Sequence, residues 1–443
     1  MSKHSTEELQ QAKGFLGWIE KVGNKLPHPF WLFVWICILI IFTSALTSFL
    51  NVSVTDPQGQ TIAAQNLLSG AGLRWFLEKM VTNFAHFAPL GLVLVMLMGV
   101  SIAEQSGLLE VILRRIAFST PRRIIFPVIF IIGACGNIGS DAGVVVVPPI
   151  AALIFMQLGY HPIAGLIAGY AGATAGFTAN LFIAGTDVLL AGISTQITSA
   201  MDPPMEVAAT ANWYFMIVST FMLGLVGAIV VRRFTIPRAA RFSGMEKVAE
   251  VTQKSADLSP EEKKGLRHAG IAFLVFALAG YIVLMLVVAQ FIYMFTWSNL
   301  DTILAVEGAL FLKTNGLTGP MLLFLFIVLI AILNIFMGSG SAKWAIFALV
   351  FIPMLAQFDY SPAFVQLMYR VGDSVTNSIS PLYIYFPLLL GWIRQYDKRI
   401  GIGTTISMLI PYAAFLFVMW TILLFVWFAL NLPIGVGEFI CMK

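Results

Sequence analysis

Two charged residues, Arg370 and Asp373, lie one helical turn apart in an otherwise uncharged stretch, YRVGDSVTN. Between residues 321 and 392, the only other formal charges are those of Lys343 and Asp359. Residues three apart share a face of a helix. A charge at the centre of a bilayer costs at least about 2.5–3.5 kcal/mol, so it pairs or faces a cavity. We therefore expect Arg370 to clamp an anion beside Asp373, which would hold a cation or a proton. A structural ion pair near the membrane edge is the alternative.

Neutral oxygens follow this carboxylate. Thr376 and Asn377 come within four residues of Asp373. Hard cations such as Na⁺ favour carboxylate, amide, hydroxyl and backbone oxygens, and all four are present here. The segment therefore predicts a site for a proton or a sodium ion.

The element NIFMGSGSAKW, residues 334–344, predicts a break in a helix. Its glycines release backbone carbonyls, its serines, including Ser341, supply hydroxyls, and Trp344 offers a flat stacking surface. We expect Lys343 to extend its ammonium to the cytoplasmic face. Glycine hinges are common in membrane helices, so a role in packing alone is the alternative.

A similar element, GNIGSD at residues 136–141, occurs earlier in the chain. Its Asn137 and Ser140 are candidate ion ligands because they supply amide and hydroxyl oxygens. Asp187 follows this region and is expected to occupy the place that Asp373 has in the later one. A cap of the following helix is the alternative role for Asp187.

The composition indicates that these residues lie in a membrane protein. Of the 443 residues, 59% are hydrophobic and 11% are charged, and the mean hydropathy is +0.88. Soluble domains average about 25% charged residues, and apolar runs of about 20 residues suffice to cross a bilayer. We predict an all-α polytopic membrane protein. The cysteines and histidines show no zinc or disulfide spacing, and no phosphate-binding loop motif occurs. The small positive net charge comes from loop asymmetry, so no nucleic-acid partner is expected.

The apolar runs alternate with broken segments. Individual spans are expected near residues 30–50, 87–102, 124–134, 213–231, 269–295, 321–337 and 404–430. The predicted organisation is a cytoplasmic N-terminal segment 1–29, scaffold helices in 30–134 and 213–231, a first hairpin and broken helix in 135–190, a cytoplasmic loop 232–268, scaffold helices in 269–337, a second hairpin and broken helix in 338–390, and a last transmembrane helix 404–430.

Basic residues predict the orientation of these spans. Residues 1–29, 105–123, 232–268 and 391–401 together hold twenty of the 26 lysines and arginines. Since Lys and Arg are retained on the cytoplasmic side, the N-terminus is expected inside and the C-terminus outside. The two broken segments would then enter the membrane from opposite sides.

The two broken segments also resemble each other. Each has an Asn and Ser element, then a proline, then a Tyr-X-Pro triplet at 160–162 or 360–362, then a polar Gly/Thr or Gly/Ser stretch. Paired interruptions in two inverted halves are typical of the binding sites of secondary transporters. We therefore predict inverted repeats, each with a re-entrant helical hairpin and a broken helix.

Several longer motifs resemble one known family. VGNKLPHPFWLF, FAPLG, HPIAGL, GFTANL, TDVLLAGIS, NWYFM, GSGSAKW, YRVGDSVTN and LPIGVG occur between residues 22 and 437 and are similar to the p-aminobenzoyl-glutamate transporter (AbgT) family. The resemblance implies a homodimer in the bacterial inner membrane. It also implies uptake of aminobenzoyl-glutamate, or export of p-aminobenzoate and sulfonamide-type antimetabolites. After Gly280 the chain is shorter than this family by about two spans, which belong to its outer scaffold.

The resemblance also implies which residues act. Substrate binding or transport is expected to involve Asp187, Ser341, Trp344, Arg370, Asp373 and Pro381. Sodium is expected at Asn334, Asp373 and Asn377, with Thr376 adjacent.

The sequence leaves four function classes to compare. The first is a carrier of aromatic anions driven by H⁺ or Na⁺, and the second is a sodium-coupled carrier of dicarboxylates or short-chain organic acids. A passive channel is the third. The fourth, a membrane enzyme, is disfavoured because the sequence has no paired histidines, catalytic cysteine or metal cluster. We expect no cofactor beyond the transported H⁺ or Na⁺, and a lipid bilayer and a small anion as partners.

Overall fold

The computed structural model describes residues 29–55, 61–85, 120–137, 142–199, 201, 203–242, 286–337, 339–383 and 385–442. The expected span at 87–102, most of the cytoplasmic loop 232–268 and Ser140 lie outside these residues. The helices are α1 (Pro29–Phe49), α2 (Gly70–Ala85), α3 (Ile125–Gly136), α4 (Ala142–Gln157), α5 (Pro162–Ala175), α6 (Gly185–Thr198), α7 (Trp213–Ala239), α8 (Leu286–Trp297), α9 (Leu300–Thr314), α10 (Gly319–Phe336), α11 (Gly340–Ala356), α12 (Pro362–Val375), α13 (Phe386–Tyr396) and α14 (Ile402–Ala429).

The helices α7, α10 and α14 are each long and apolar enough to cross a bilayer. A helix satisfies its own backbone hydrogen bonds, which lipid cannot do. Large apolar side chains such as Phe42, Leu225 and Val418 are more than half exposed, as expected of surfaces that face lipid tails. The all-α membrane fold is therefore confirmed. One short hairpin is the exception among the described residues: strands β1 (Ser53–Thr55) and β2 (Thr61–Ala63) pair antiparallel after α1.

The first broken segment is a helix pair followed by an interrupted helix. Helices α3 and α4 approach so closely at their joined ends that a Cβ on Gly136 would lie 2.7 Å from the Cα of Gly143. Only glycine permits this approach of two backbones. Helix α5 then begins at Pro162, where proline suits the first turn, and ends at Ala175. Helix α6 starts only at Gly185, so residues 176–184 interrupt the helix.

The second broken segment repeats this arrangement. The pair α10 and α11 is separated by residues 337–339, and the Ser339 hydroxyl accepts from the Ala342 N–H at the start of α11. Helix α12 begins at Pro362, behind a Ser361 cap, and ends at Val375. A short 3₁₀ turn, Asn377–Ile379, and an irregular stretch precede α13.

The repeat is seen most clearly in α5 and α12. Each has 14 residues, all of them buried, and their first residues are two hundred positions apart in the sequence. In the first half, the Asn137 amide donates to the Ala173 carbonyl; in the second, the Asn334 amide donates to the Asp373 carbonyl. Ala173 therefore occupies in the first repeat the position that Asp373 occupies in the second. The expected equivalence of Asp187 and Asp373 is wrong, because Asp187 lies beyond the interruption, in the first turn of α6.

Candidate functional site

Four buried charged side chains meet where α6, α11 and α12 pack together. Arg370 of α12 pairs with Asp187 of α6, and Asp373 of α12 pairs with Lys343 of α11, whose Nζ lies 2.7 Å from the Asp373 Oδ1. None of the four residues is more than 5% exposed. Their formal charges sum to zero. The pairing satisfies two carboxylates and two cations that would otherwise be costly to bury.

This arrangement excludes the alternative of an Arg370–Asp373 ion pair and corrects the expected position of Lys343. Arg370 does not pair with Asp373, although their spacing places both on one face of α12. Each has a nearer opposite charge on a facing helix, Asp187 for the guanidinium and Lys343 for the carboxylate. Lys343 does not reach the cytoplasmic face, because its side chain is fully buried.

Arg370 and Asp187 are fixed by the interruption between α5 and α6. The Arg370 Nη2 donates to the Thr178 carbonyl at 2.7 Å, and Thr178 lies within this interruption. The Asp187 Oδ2 accepts from the Ala184 N–H at 2.6 Å. Asp187 is therefore both a helix cap and the arginine's counterion. Helix N-termini favour such a negative charge. The Arg370 Nε is buried and has no hydrogen-bond partner.

The predicted sodium ligands come together around Asn334. Its Nδ2 donates to the Thr376 Oγ1 at 2.9 Å, to the Asn377 Oδ1 at 2.8 Å and to the Asp373 carbonyl. Its Oδ1 accepts from the Lys343 Nζ. Carboxylate, amide and hydroxyl oxygens are the donors that Na⁺ prefers, so this set fits a sodium ion by its chemistry. The Lys343 ammonium contacts two of these residues.

An aromatic pair covers the carboxylate. Trp344 is fully buried and packs on Tyr369, with 4.6 Å between ring centroids. The Tyr369 hydroxyl donates to the Asp373 Oδ1 at 3.0 Å and also bonds with the Gly340 carbonyl. The Trp344 Nε1 donates to the Ser194 Oγ at 3.0 Å. The stacking surface that the sequence predicts is therefore occupied by a tyrosine of the same chain.

A hydrogen-bond chain joins the aromatic pair to the arginine. The Ser194 Oγ donates to the Gln366 Oε1 at 2.7 Å, and the Gln366 Nε2 donates to the Asn212 Oδ1 at 3.1 Å. The Arg370 Nη1 approaches the same Asn212 oxygen at 3.4 Å. Buried polar groups need such partners. The positions of Trp344 and Arg370 are thus linked through Gln366.

Sequence reasoning missed several members of this site. They are Thr178, Ser194, Asn212, Gln366 and Tyr369, together with the role of Lys343 as a counterion. A signal was present on α12, where Gln366, Tyr369, Arg370 and Asp373 recur at spacings of three or four and so form one polar stripe.

Three predicted residues are placed apart from the charge pairs. Asn137 bonds with α5 of its own repeat, and its Oδ1 is buried without a partner. Ser341 lies half-buried in the first turn of α11, and Pro381 lies half-buried in the irregular stretch after the 3₁₀ turn. In the described part of the chain, no group of three or more His, Cys, Asp and Glu side chains is arranged to hold a metal ion.

Two solved structures resemble this fold closely. The YdaH transporter of Alcanivorax borkumensis, described as having an unusual topology, is 36% identical with a TM-score of 0.82, and the match covers 93% of this chain and 100% of that one. MtrF of Neisseria gonorrhoeae, described within a class of antimetabolite efflux pumps, is 34% identical with a TM-score of 0.83, and the match covers 96% of this chain and 100% of that one.

Sequence comparison gives the same relationship. The chain is 33% identical to the p-aminobenzoyl-glutamate transport protein of Escherichia coli strain K12 over an alignment of 507 positions, gaps included, which covers 99% of each chain. The model of the AbgT transporter family matches residues 14–279 and 275–442. These two matches meet beside Gly280, where the sequence resemblance indicates missing spans. The chain is therefore a multi-pass membrane transporter, not an enzyme, and belongs to the AbgT family.

Proposed function

We propose that the protein is a secondary active transporter of p-aminobenzoyl-glutamate and p-aminobenzoate-like aromatic anions, coupled to protons or sodium ions. The names of the relatives support the substrate class: one is a p-aminobenzoyl-glutamate transport protein and another belongs to antimetabolite efflux pumps. Export of sulfonamide-type antimetabolites would follow from the second relationship. Arg370, with its unpartnered buried Nε, is the group that we expect to receive a carboxylate.

The observation that carries the coupling is the zero net charge of the two buried ion pairs, Arg370–Asp187 and Lys343–Asp373. An anion that enters this centre adds uncompensated negative charge where the effective dielectric constant is low. If Arg370 turned to the anion, Asp187 would lose its counterion instead. A cation that enters or leaves in step with the anion restores neutrality. Ion coupling is the simplest way to avoid the cost of an unpaired buried charge.

The surrounding architecture supports alternating access. We propose that the pairs α3–α4 and α10–α11 are re-entrant hairpins that enter the membrane from opposite sides. On this proposal α3 and α10 are hairpin arms and not the separate spans expected near 124–134 and 321–337, although α10 is long enough to cross a bilayer. We expect the N-terminus to be cytoplasmic and the C-terminus periplasmic, in the bacterial inner membrane, because of the distribution of basic residues. Interrupted helices at membrane depth are tolerated where they are buried in protein or line a cavity. The homodimer is a further prediction, which the resemblance to the family implies.

Reconstituted vesicles test this function. Proteoliposomes should accumulate labelled p-aminobenzoyl-glutamate or p-aminobenzoate under either a proton or a sodium gradient, and unlabelled succinate should compete poorly. Asp373→Asn should abolish the accumulation. Asp359→Asn is the matched control, since Asp359 is exposed at a turn with positive φ that asparagine tolerates. Substrate flux that does not respond to either gradient, and that Asp373→Asn leaves unchanged, would contradict the proposal. Stronger competition by succinate would favour a dicarboxylate carrier.

A further inference from the structure

The Lys343 ammonium lies among the predicted sodium ligands. Its Nζ is 2.7 Å from the Asp373 Oδ1 and also donates to the Asn334 Oδ1. These are two of the three residues at which the sequence predicts sodium. The lysine side chain is fully buried, so water does not screen its charge.

An ammonium and a sodium ion make similar demands on a site. Each is a compact cation that oxygen atoms surround, and the lysine ammonium is a point charge on a flexible four-carbon stem. The oxygens of Asp373 and Asn334 cannot hold both cations at bonding distance, because two positive charges a few ångströms apart in a buried site repel strongly. One cation must therefore withdraw before the other binds.

The hairpin geometry gives the ammonium a way to withdraw. Lys343 lies in the first turn of α11, just after the interruption at residues 337–339. Its stem is anchored beside this break and not in the middle of a continuous helix. A change of side-chain rotamer on the flexible lysine stem is the movement that would take the ammonium off the Asp373 carboxylate.

We propose that Lys343 is a resident, tethered cation of the Asn334–Asp373 site and competes with Na⁺ for it. The lysine then determines how tightly the site binds a coupling cation. This inference rests on the proposed function only in that the site serves ion coupling. It differs from a purely structural lysine, which would leave the sodium affinity unchanged or raise it by keeping the ligands in place.

Sodium binding to the purified full-length protein in detergent tests the competition. The readouts are ²²Na⁺ binding and the shift of the thermal unfolding temperature when NaCl replaces choline chloride. Lys343→Met and Lys343→Gln remove the charge, and the glutamine keeps a donor for the carboxylate if the methionine variant does not fold. We expect these variants to bind Na⁺ about tenfold or more tightly than the wild type, because no ammonium then competes for the oxygens of Asp373 and Asn334. NaCl should also raise their unfolding temperature more, since a ligand that binds only the native state stabilises it.

Two controls accompany the measurement. Lys313→Met is the same change at an exposed lysine, which lies over the Phe358 ring, and it should leave sodium binding at the wild-type level. Lys343→Met combined with Asp373→Asn removes both charges and should lose the gained binding. Equal sodium affinity in the wild type and both neutral variants, loss of sodium binding in those variants, or no sodium binding in any protein would overturn the proposal. These measurements need no substrate, so failure of the transport experiment is distinguishable from failure here.

Discussion

The assignment of charge partners can be measured with two double-mutant cycles. Asp187→Asn leaves the Arg370 guanidinium buried without its carboxylate, and losing one partner of a buried ion pair costs about 3–5 kcal/mol of unfolding free energy. Arg370→Gln likewise leaves the Asp187 carboxylate without its counterion. The loss of unfolding free energy should be smaller, because this carboxylate also accepts a hydrogen bond from the Ala184 N–H. The double variant is a neutral amide pair. Its loss of unfolding free energy should therefore be smaller than the sum of the losses in the two single variants.

The expected coupling energy between Arg370 and Asp187 is about 3 kcal/mol, because both side chains are almost fully buried and in direct contact. The second cycle combines Arg370→Gln with Asp373→Asn. Its coupling should be clearly smaller than that of the first cycle, since the Asp373 carboxylate pairs with Lys343 and not with Arg370. The assay is denaturant unfolding in mixed detergent micelles, followed by tryptophan fluorescence. A larger coupling for Asp373 than for Asp187 would refute the pairing.

Three further changes test the packing and the links around the charges. Trp344→Ala should cost about 3–5 kcal/mol of unfolding free energy as a large-to-small change in a packed site, whereas Trp344→Phe keeps the ring on Tyr369 and should cost clearly less; equal losses would contradict the stacking role. Gln366→Leu leaves Ser194 and Asn212 without their buried hydrogen-bond partner. It should lower the unfolding free energy by about 1–3 kcal/mol for each of them and weaken substrate transport. An unchanged unfolding midpoint would contradict the linking role of Gln366. Ser361→Ala removes the cap of α12 and the hydroxyl bond to the Phe439 carbonyl, so the unfolding free energy should fall by about 0.5–2 kcal/mol and hydrogen exchange at 439–442 should rise; unchanged exchange would argue against the anchoring.

Hydropathy was enough to predict the long apolar helices, whereas α2 and α9 lie outside every expected span and were not predicted. The expected spans at 30–50, 213–231 and 404–430 correspond to α1, the main part of α7 and α14, with ends that differ by a few residues. Proline after a Tyr-X pair and glycine-rich stretches mark where helices start and stop, whatever the tertiary contacts. The similarity of the two broken segments could also be predicted, because it consists of a local sequence pattern that does not depend on tertiary contacts.

The pairing of charges could not be predicted from the sequence. Spacing places Arg370 and Asp373 on one face of α12, but it does not say which helix lies opposite. Asp187 and Lys343 reach that face only through the three-dimensional packing of α6 and α11. The prediction that Lys343 extends to the surface treats lysine as a solvated end. It fails because the packing of α11 places Lys343 beside the Asp373 carboxylate, which would be costly to bury without a positive partner.

Substrate-driven ion movement tests the central claim, that a neutral buried charge centre obliges an anion and a cation to move in step. Labelled p-aminobenzoyl-glutamate would be added to proteoliposomes with no ion gradient, while an internal pH dye and ²²Na⁺ report on both cations. We expect substrate flux to drive one of the two cations across the membrane, and Asp373→Asn to remove that movement. Substrate that crosses while neither cation moves would contradict the account.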